Sequence, residues 1–308
     1  MIRFFSSASV LYPFYNLLHP VSLSPGEPDE LRIYIFSKHL QFLNWKQTGM
    51  IAKDLGFDGI DLTVRKNGHV DPNKAPAELP EALKDIRSSG IDCDIITTKV
   101  EDIDKVVDKQ LIKTAAQNGI KYYRLNWYNY LEDKNLLQSI DYYQDKINAI
   151  SKLNKQYDII GTYQNHSGTK IGASYWEVYN ILKDSNSQFM GAQYDIRHAV
   201  AEGGRSWTNG FKLLAPLIKT IVLKDFKWGL VNGKWKIVNT PIGEGMVDFQ
   251  QYFKLLKEFN INVPVILHLE YPLGGAEKGN RILTVDKSKV FEAMRSDLQK
   301  IKQLWKNS

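Results

Sequence analysis

The chain has 308 residues, of which 43% are hydrophobic and 24% charged, and its formal net charge is +6. A single cysteine, Cys93, excludes a disulfide framework and a cysteine-ligated zinc site. The basic residues are dispersed among acidic ones, which argues against a nucleic-acid partner and indicates a solvated surface with a mild preference for anions. No stretch is long and apolar enough to predict a membrane span.

Residues 1–30 differ from the rest in having a patchy apolar run interrupted by serines and prolines. Such a segment predicts either the remnant of an export signal or a disordered or packed extension. A cytoplasmic location is expected if it is only an extension, and a periplasmic or exported one if it is a signal. Residues 31–308 are predicted to form a single domain.

From residue 31 onward, short β-type runs alternate with longer stretches of helical period. Eight such pairs predict parallel strands and, without a second domain, a closed TIM (β/α)8 barrel. The first strand has no glycine-rich phosphate loop after it, which disfavours a dinucleotide-binding fold. The predicted strands are 32–36, 59–64, 92–98, 121–127, 158–163, 189–194, 218–223 and 263–269. The predicted helices are 45–55, 80–89, 102–118, 136–157, 174–183, 206–214, 249–259 and 287–305.

Polar side chains cluster at the C-terminal ends of these strands, where the active sites of TIM barrels lie. Five of the six histidines lie at or just past a strand end. Because successive side chains of a strand point to opposite faces, residues two apart share a face and are expected to point together into the barrel mouth. The candidate residues at the strand ends are His39, Arg65, Arg124, Asn126, Gln164, His166, Asp195, His198, Lys224, His268 and Glu270.

Two further candidates lie in the connections. Glu244, in a Gly-Glu-Gly loop after the seventh strand, is predicted either to contact a substrate hydroxyl or to be a solvated turn residue. Trp207, after the sixth strand, is predicted either to stack on a sugar ring or to pack against the barrel.

Several segments resemble the sugar phosphate isomerase/epimerase family of xylose isomerase-like TIM barrels. They are FSKHL (36–40), LGFDGIDL (55–62), YDIRH (194–198), LKDF (223–226), PIGEG (241–245) and LEY (269–271). The resemblance covers about residues 31–300. It implies the TIM-barrel fold and an isomerase, epimerase or related lyase of carbohydrate metabolism.

The resemblance also implies a divalent metal held by a Glu, an Asp, a His and a Glu at the ends of strands five to eight. Asp195 and Glu270 match two of these positions, whereas Gln164 and Val222 stand where Glu and His are expected. Two alternatives follow. Either Mn²⁺ or Mg²⁺ is held weakly by Asp195, Glu270 and Gln164, or no metal is bound and Lys224 supplies the positive charge.

The implied chemistry is removal of a proton next to a carbonyl, with stabilisation of the resulting enediolate. Glu270 is predicted to be the base, with Lys224 and His198 as further catalytic groups. The predicted substrate-binding residues are Arg124, Asn126, His166, His39, Arg65, Glu244, His268 and Trp207. The expected partner is a small sugar-like molecule, without nucleic acid or membrane, and a homo-oligomer is compatible with these features. The alternative function is a metal-free, non-catalytic carbohydrate-binding barrel.

Overall fold

A computed structural model describes residues 30–308 of the chain. The prediction made for residues 1–30 lies, apart from Glu30, outside the described residues. Within the described range, no helix is both long enough and apolar enough to cross a bilayer.

Parallel strands close into a barrel in the order β1-β10-β7-β6-β5-β4-β3-β2, which confirms the predicted TIM-barrel fold. The eighth barrel strand is β10 because a separate antiparallel hairpin, β8 and β9, is inserted after β7. The strands are β1 (Ile33–Phe36), β2 (Gly59–Thr63), β3 (Asp92–Thr97), β4 (Tyr122–Arg124), β5 (Ile160–Gln164), β6 (Met190–Asp195), β7 (Ile218–Leu223), β8 (Asp225–Val231), β9 (Lys234–Thr240) and β10 (Val265–Leu267).

Helices pack around the barrel between successive strands. They are α1 (Trp45–Leu55), α2 (Ala75–Arg87), α3 (Val106–Gln117), α4 (Leu136–Tyr157), α5 (Tyr175–Leu182), α6 (Ile196–Gly203), α7 (Trp207–Leu214), α8 (Phe249–Glu258) and α9 (Lys287–Lys306). The predicted bounds of α1 and α4 agree with the structure, since Asn44 and Asn135 each form a capping box with a glutamine three residues on.

Other predicted bounds need correction. Helix α2 was expected to start at Pro80 but begins at Ala75, and Pro80 lies inside it. Strands β5 and β6 extend one residue further than predicted, so Gln164 and Asp195 are the last residues of their strands. Helix α6 and the β8–β9 hairpin were not predicted.

The interior of the barrel is mainly apolar below its C-terminal end. A cluster of buried side chains from five strands fills it: Tyr34, Phe36, Ile95, Tyr122, Val222 and Ile266. A second, larger apolar cluster lies between the barrel and its helices. Some polar side chains also lie inside the barrel, such as Gln193, which donates to the Thr220 hydroxyl, and the active sites of such barrels lie at the mouth formed by the strand ends.

Candidate active site

The Lys224 side chain lies at the centre of a polar cluster where β6 and β7 end. Its ammonium nitrogen is 3.0 Å from Asp195 Oδ2 and 2.7 Å from His198 Nε2, and all three side chains are buried. Burial raises the pKa of the Asp195 carboxyl, and the adjacent Lys224 ammonium opposes that shift. The lysine and the aspartate therefore form a buried ion pair, with an imidazole in contact with the cation.

The backbone fixes Asp195 firmly. Asp195 ends β6 and is also the N-cap of α6, so its Oδ1 accepts a hydrogen bond from the His198 backbone N–H at 3.2 Å. The Asn165 side chain accepts from the Asp195 N–H and donates to its carbonyl. One residue thus ends a strand, starts a helix and presents its second carboxylate oxygen to the barrel mouth.

His198 is surrounded by hydrogen-bond donors. Its Nδ1 accepts from the Ser167 backbone N–H at 3.1 Å and lies 2.8 Å from an Arg197 guanidinium nitrogen. Burial and the neighbouring Lys224 ammonium hold the pKa of His198 well below its usual value. The ring is therefore neutral, and because Nδ1 is an acceptor, its single N–H is on Nε2, which contacts the lysine without accepting a hydrogen bond from it.

A second part of the site runs from β4 to β5. Arg124 donates to Gln164 Oε1 at 3.0 Å, and Gln164 Nε2 donates to Asp195 Oδ2 at 2.7 Å. The Arg124 guanidinium also lies over the Trp127 ring, 4.3 Å from its centroid. His166 lies between the Trp127 and His198 rings, at 4.2 and 4.1 Å. These contacts form one continuous polar and aromatic wall.

Glu270 stands just beyond the end of β10 and pairs with a cation from the β1 end. Its Oε1 accepts from Lys38 Nζ at 2.9 Å and lies 3.8 Å from His268 Nδ1. The imidazole of His268 stacks on Phe36, with ring centroids 4.2 Å apart. The Glu270 side chain keeps 28% of its surface exposed, and its Oε2 has no hydrogen-bond partner among the described residues. Glu270 is therefore the carboxylate of this cluster that a bound molecule can reach.

The charges around Glu270 keep it ionised. Burial by itself would raise the pKa of Glu270, but the contact with His268 and the ammonium groups of Lys224 and Lys38 outweigh it. The result is a pKa well below the usual range for glutamate. In the unliganded protein this carboxylate is consequently a weak base.

Asp61 is a buried carboxyl group on β2. Its Oδ2 accepts from the Thr97 hydroxyl at 2.7 Å, and its Oδ1 has no partner in the structure. Burial raises the pKa of Asp61 to about 7, although the hydrogen bond from Thr97 and the charges of Arg124 and Arg65 act in the opposite direction. Asp61 therefore titrates near neutral pH.

The unpredicted β8–β9 hairpin contributes to the mouth through its base. Asn239 accepts from Arg197 Nη2 at 2.7 Å and donates to the Glu270 carbonyl at 3.1 Å. The turn is Asn232-Gly233, with φ of 52° and 74°, which is the pattern of a two-residue type I′ hairpin turn. That dipeptide is the sequence signal that could have revealed the hairpin.

Asp225, at the start of β8, organises the loop that follows the hairpin. Its carboxylate accepts hydrogen bonds from the backbone N–H groups of Phe226, Gly243, Gly245 and Val247 at 2.8–3.2 Å. A side chain at Gly245 would collide with Asp225 and with the Phe226 carbonyl, so this close wrapping requires glycine.

The donor set does not fit a divalent metal. Gln164, expected as a ligand, uses its amide oxygen for Arg124 and its nitrogen for Asp195. Val222, where the resemblance implies a histidine, belongs to the apolar barrel interior. Asp195 Oδ2 already faces the Lys224 ammonium. Among residues 30–308, no group of three His, Cys, Asp or Glu side chains is arranged to hold a metal ion.

The structure brings together Arg124, Gln164, His166, Asp195 and His198 with Lys224. Across the mouth, Arg65 lies with its guanidinium carbon 5.5 Å from the centre of the Phe36 ring, on which His268 also stacks.

Four predicted site residues lie elsewhere or are otherwise engaged. The His39 ring contacts the Ala276 carbonyl at 3.3 Å and accepts from the Leu269 N–H at 3.0 Å, so both its nitrogens serve the backbone. Asn126 donates to Glu101 in a cleft of about 280 Å³ beside the mouth. Glu244 is exposed on its loop. Trp207 packs edge-on against Tyr252, between the barrel and α8.

Sequence reasoning assigned no role to Lys38, Arg197 or Asn239, although all three contact the cluster. Lys38 immediately precedes the candidate His39, and Arg197 precedes His198. Their position next to strand-end candidates was the available signal. Asn239 could be placed only once the hairpin was known.

Comparison with known proteins supports the architecture. Residues 50–284 match the family model described as xylose isomerase-like TIM barrel. No curated protein matches the chain.

Solved structures share the fold at low sequence identity. The probable 3-DHS dehydratase AsbF of Bacillus anthracis is 13% identical, with a TM-score of 0.65 over 87% of this chain and 98% of that one. A D-psicose 3-epimerase from Clostridium cellulolyticum, solved with D-tagatose, is 10% identical, with a TM-score of 0.67 over 89% and 99%. A xylose isomerase-like TIM barrel protein from Mycobacterium smegmatis, solved with magnesium, is 13% identical, with a TM-score of 0.62 over 89% and 100%.

Proposed function

The chain belongs to the xylose isomerase-like TIM barrel family, and from that premise we propose that it is an enzyme acting on a sugar or polyol derivative. The proposed step is removal of a proton from the carbon next to a carbonyl, leading to isomerisation or to loss of water. The observation that carries the proposal is the buried Lys224, paired with Asp195 and in contact with His198 in the same mouth as the reachable carboxylate of Glu270.

Lys224 is proposed to stabilise the negative charge that develops on the substrate oxygen. An ammonium group fixed in a buried site stabilises that oxygen without having to reorient during the reaction. In other enzymes a single such donor lowers the activation free energy by about 3–4 kcal/mol. Asp195 holds the lysine in position, and the neutral His198 ring that contacts it adds no charge. No step of this proposal passes through a metal ion, because Gln164 and Val222 do not supply the required donors.

Glu270 is proposed to accept the proton through its free Oε2. Its low pKa in the unliganded protein reflects the contact with His268 and the charges of Lys224 and Lys38. A substrate oxygen that takes over the hydrogen bond of Lys38 would remove part of that stabilisation and raise the pKa of Glu270. The base would then become stronger when the substrate is bound.

The reaction class is narrowed by Gln164. Epimerisation by two facing carboxylates needs a proton-accepting group on β5 as well as on the β10 side, and an amide cannot accept a proton in that role. Aldose–ketose isomerisation or dehydration, which work with one carboxylate and a stabilised oxyanion, are therefore favoured over symmetric 3-epimerisation.

A second candidate is a non-catalytic carbohydrate-binding barrel. The strongly lowered pKa of Glu270 favours it, since a carboxylate that is held ionised by two lysines is a poor base. The two candidates differ in one observable, the exchange of substrate carbon-bound hydrogen with solvent.

The test is proton NMR of a panel of keto-sugars and keto-polyols incubated with the protein in D₂O. We expect loss of the signal of the hydrogen next to the carbonyl for at least one compound. Glu270→Gln should abolish this exchange, whereas Glu292→Gln, on the exposed side of α9, should leave it unchanged. If a sugar of the panel binds but none of its carbon-bound hydrogen exchanges, the result supports the non-catalytic barrel and contradicts the proposal that the protein is an enzyme.

A further inference from the structure

Lysine and arginine side chains in the barrel mouth differ in whether they are paired with carboxylates. Among the described residues, the two lysines there are both paired with carboxylates, Lys224 with Asp195 and Lys38 with Glu270. The arginines are not. Arg65, Arg124 and Arg197 form no ion pair with any described carboxylate.

Arg124 is the clearest case. The residue is only 3% exposed, its guanidinium donates to the neutral amide of Gln164, and its Nε has no partner. Burial and the nearby charge of Arg65 lower the pKa of Arg124 to about 10. A guanidinium buried without a counter-charge is unfavourable unless another group supplies the charge.

Arg65 lies beside it with a free fork of donors. Its guanidinium carbon is 5.5 Å from the centre of the Phe36 ring, and its side chain makes no hydrogen bond or ion pair to any part of residues 30–308. Of the carboxyl groups, Asp61 has the largest electrostatic influence on both arginines, and it accepts a hydrogen bond from Thr97 rather than from either guanidinium. Because the pKa of Asp61 is about 7, it neutralises them only in part near neutral pH.

The overall balance is positive. Five cationic side chains of the described mouth (Lys38, Arg65, Arg124, Arg197 and Lys224) face three carboxyl groups (Asp61, Asp195 and Glu270). The excess lies on the arginines, whose planar donors match the oxygens of carboxylate and phosphate groups in pairs.

We propose that the molecule bound in this mouth carries an anionic group, a carboxylate or a phosphate, which Arg65 and Arg124 hold. These arginines come from the β2 and β4 ends, whereas Lys224 and Glu270 come from the β7 and β10 ends on the other side of the closed barrel. The anionic group would thus anchor one end of the molecule while its other end meets Lys224 and Glu270. This inference rests on the proposed function for the chemistry at that second end, but the anion site can be tested without turnover.

The experiment is calorimetric titration with three compounds that share one carbon skeleton: D-gluconate, D-glucitol 6-phosphate and neutral D-glucitol. We expect one of the anions to bind about tenfold or more tightly than glucitol, in line with charge-assisted hydrogen bonds. The anion that shows this preference identifies the group as carboxylate or phosphate.

Variants locate the site. Arg65→Gln should remove most of the preference for the anion, and Arg65→Lys should keep part of it, because charge remains without the paired donors. Arg295→Gln, an exposed arginine on α9, is the matched control and should behave like the wild type.

The proposal is overturned if glucitol binds as tightly as both anions, if neither anion binds, or if Arg65→Gln leaves the preference unchanged. Because binding is measured without turnover, this result is independent of the exchange assay. Anion binding without hydrogen exchange would contradict the proposed enzymatic function and support the anion site. Hydrogen exchange with neutral compounds alone would support the enzymatic function and contradict the anion site.

Discussion

Lys224 Nζ lies 3.0 Å from Asp195 Oδ2, so a lysine ammonium stands against the carboxylate that ends β6. The resemblance noted in the sequence implies a divalent ion at this carboxylate. Two of the four donors of such an ion are replaced by Gln164 and Val222, and the pair is buried in a mouth with an excess of cationic groups. We therefore take the lysine to be the positive charge on which the chemistry of this site depends.

Replacing the lysine should separate its roles in stability and in activity. Lys224→Met should leave Asp195 as an unpaired buried carboxylate and lower the free energy of unfolding by about 3–5 kcal/mol. The double variant Lys224→Met/Asp195→Asn should recover much of that loss in urea unfolding. In both variants, the rate at which the carbon-bound hydrogen of the substrate exchanges with solvent should fall about 100-fold or more. Full exchange in the stable double variant would show that the lysine is not needed.

Lys38 should set the acidic limit of activity. Because its ammonium helps to lower the pKa of Glu270, Lys38→Met should raise that pKa. The base is active only when ionised, so the acidic limb of the pH–rate profile should move to higher pH. Lys53→Met, on the exposed face of α1, is the control. An acidic limb that stays in place would mean that Glu270 is not the titrating base.

Asp61 should make the protein less stable as the pH rises. Its pKa is about 7 in the folded state and 3.8 for an ordinary aspartate, so between these values the unfolded chain loses the proton and the folded chain keeps it. The free energy of unfolding should fall by a few kcal/mol from about pH 4 to pH 7 and then level off. Asp61→Asn should flatten this part of the profile. Urea unfolding across this pH range checks it, and an unchanged slope in the variant would contradict it.

The loop at residues 241–247 should depend on the carboxylate of Asp225. Asp225→Asn keeps the size of the side chain but replaces one acceptor oxygen with an NH₂ group facing backbone N–H donors. Limited proteolysis should then cut this loop faster than in the wild type. Asp248→Asn, an exposed N-cap of α8 close by, is the comparison. Equal cleavage of both variants would mean that Asp225 does not hold the loop.

Restoring the missing donors should create a metal site that the wild type lacks. We expect Mn²⁺ to raise the Tm of the double variant Gln164→Glu/Val222→His but not that of the wild type or of Gln164→Glu alone. In the single variant the new carboxylate would pair with Arg124, which already donates to Gln164 Oε1. A Mn²⁺-dependent rise in the wild type would show that its existing donors suffice.

The barrel could be predicted from the sequence because each repeat carries local signals. Asn44 and Asn135 mark the starts of α1 and α4 by capping, and the positions of the strands follow from short apolar runs. Helix α6 was missed because Asp195 serves both as the last strand residue and as the N-cap, which leaves no connecting loop to recognise. The hairpin was missed although Asn232-Gly233 is a specific turn signal.

The site was harder to predict than the fold. Strand ends located its candidate residues, since the chain's polar side chains concentrate there. Partnerships such as Lys38 with Glu270, 232 positions apart, depend on the closure of the barrel and have no local signal. Burial likewise decides that the pKa of Asp61 rises while that of Glu270 falls, and sequence alone does not give the burial of a single carboxylate.

The measurement that tests the account most directly is solvent hydrogen exchange by the protein after exhaustive chelation of metals. With the first keto-sugar or keto-polyol found to exchange, we expect the same rate in EDTA, in metal-free buffer and with added Mn²⁺, and no exchange by Lys224→Met/Asp195→Asn. A rate that disappears with EDTA and returns with Mn²⁺ would contradict the central claim that Lys224, not a divalent ion, provides the charge at this site.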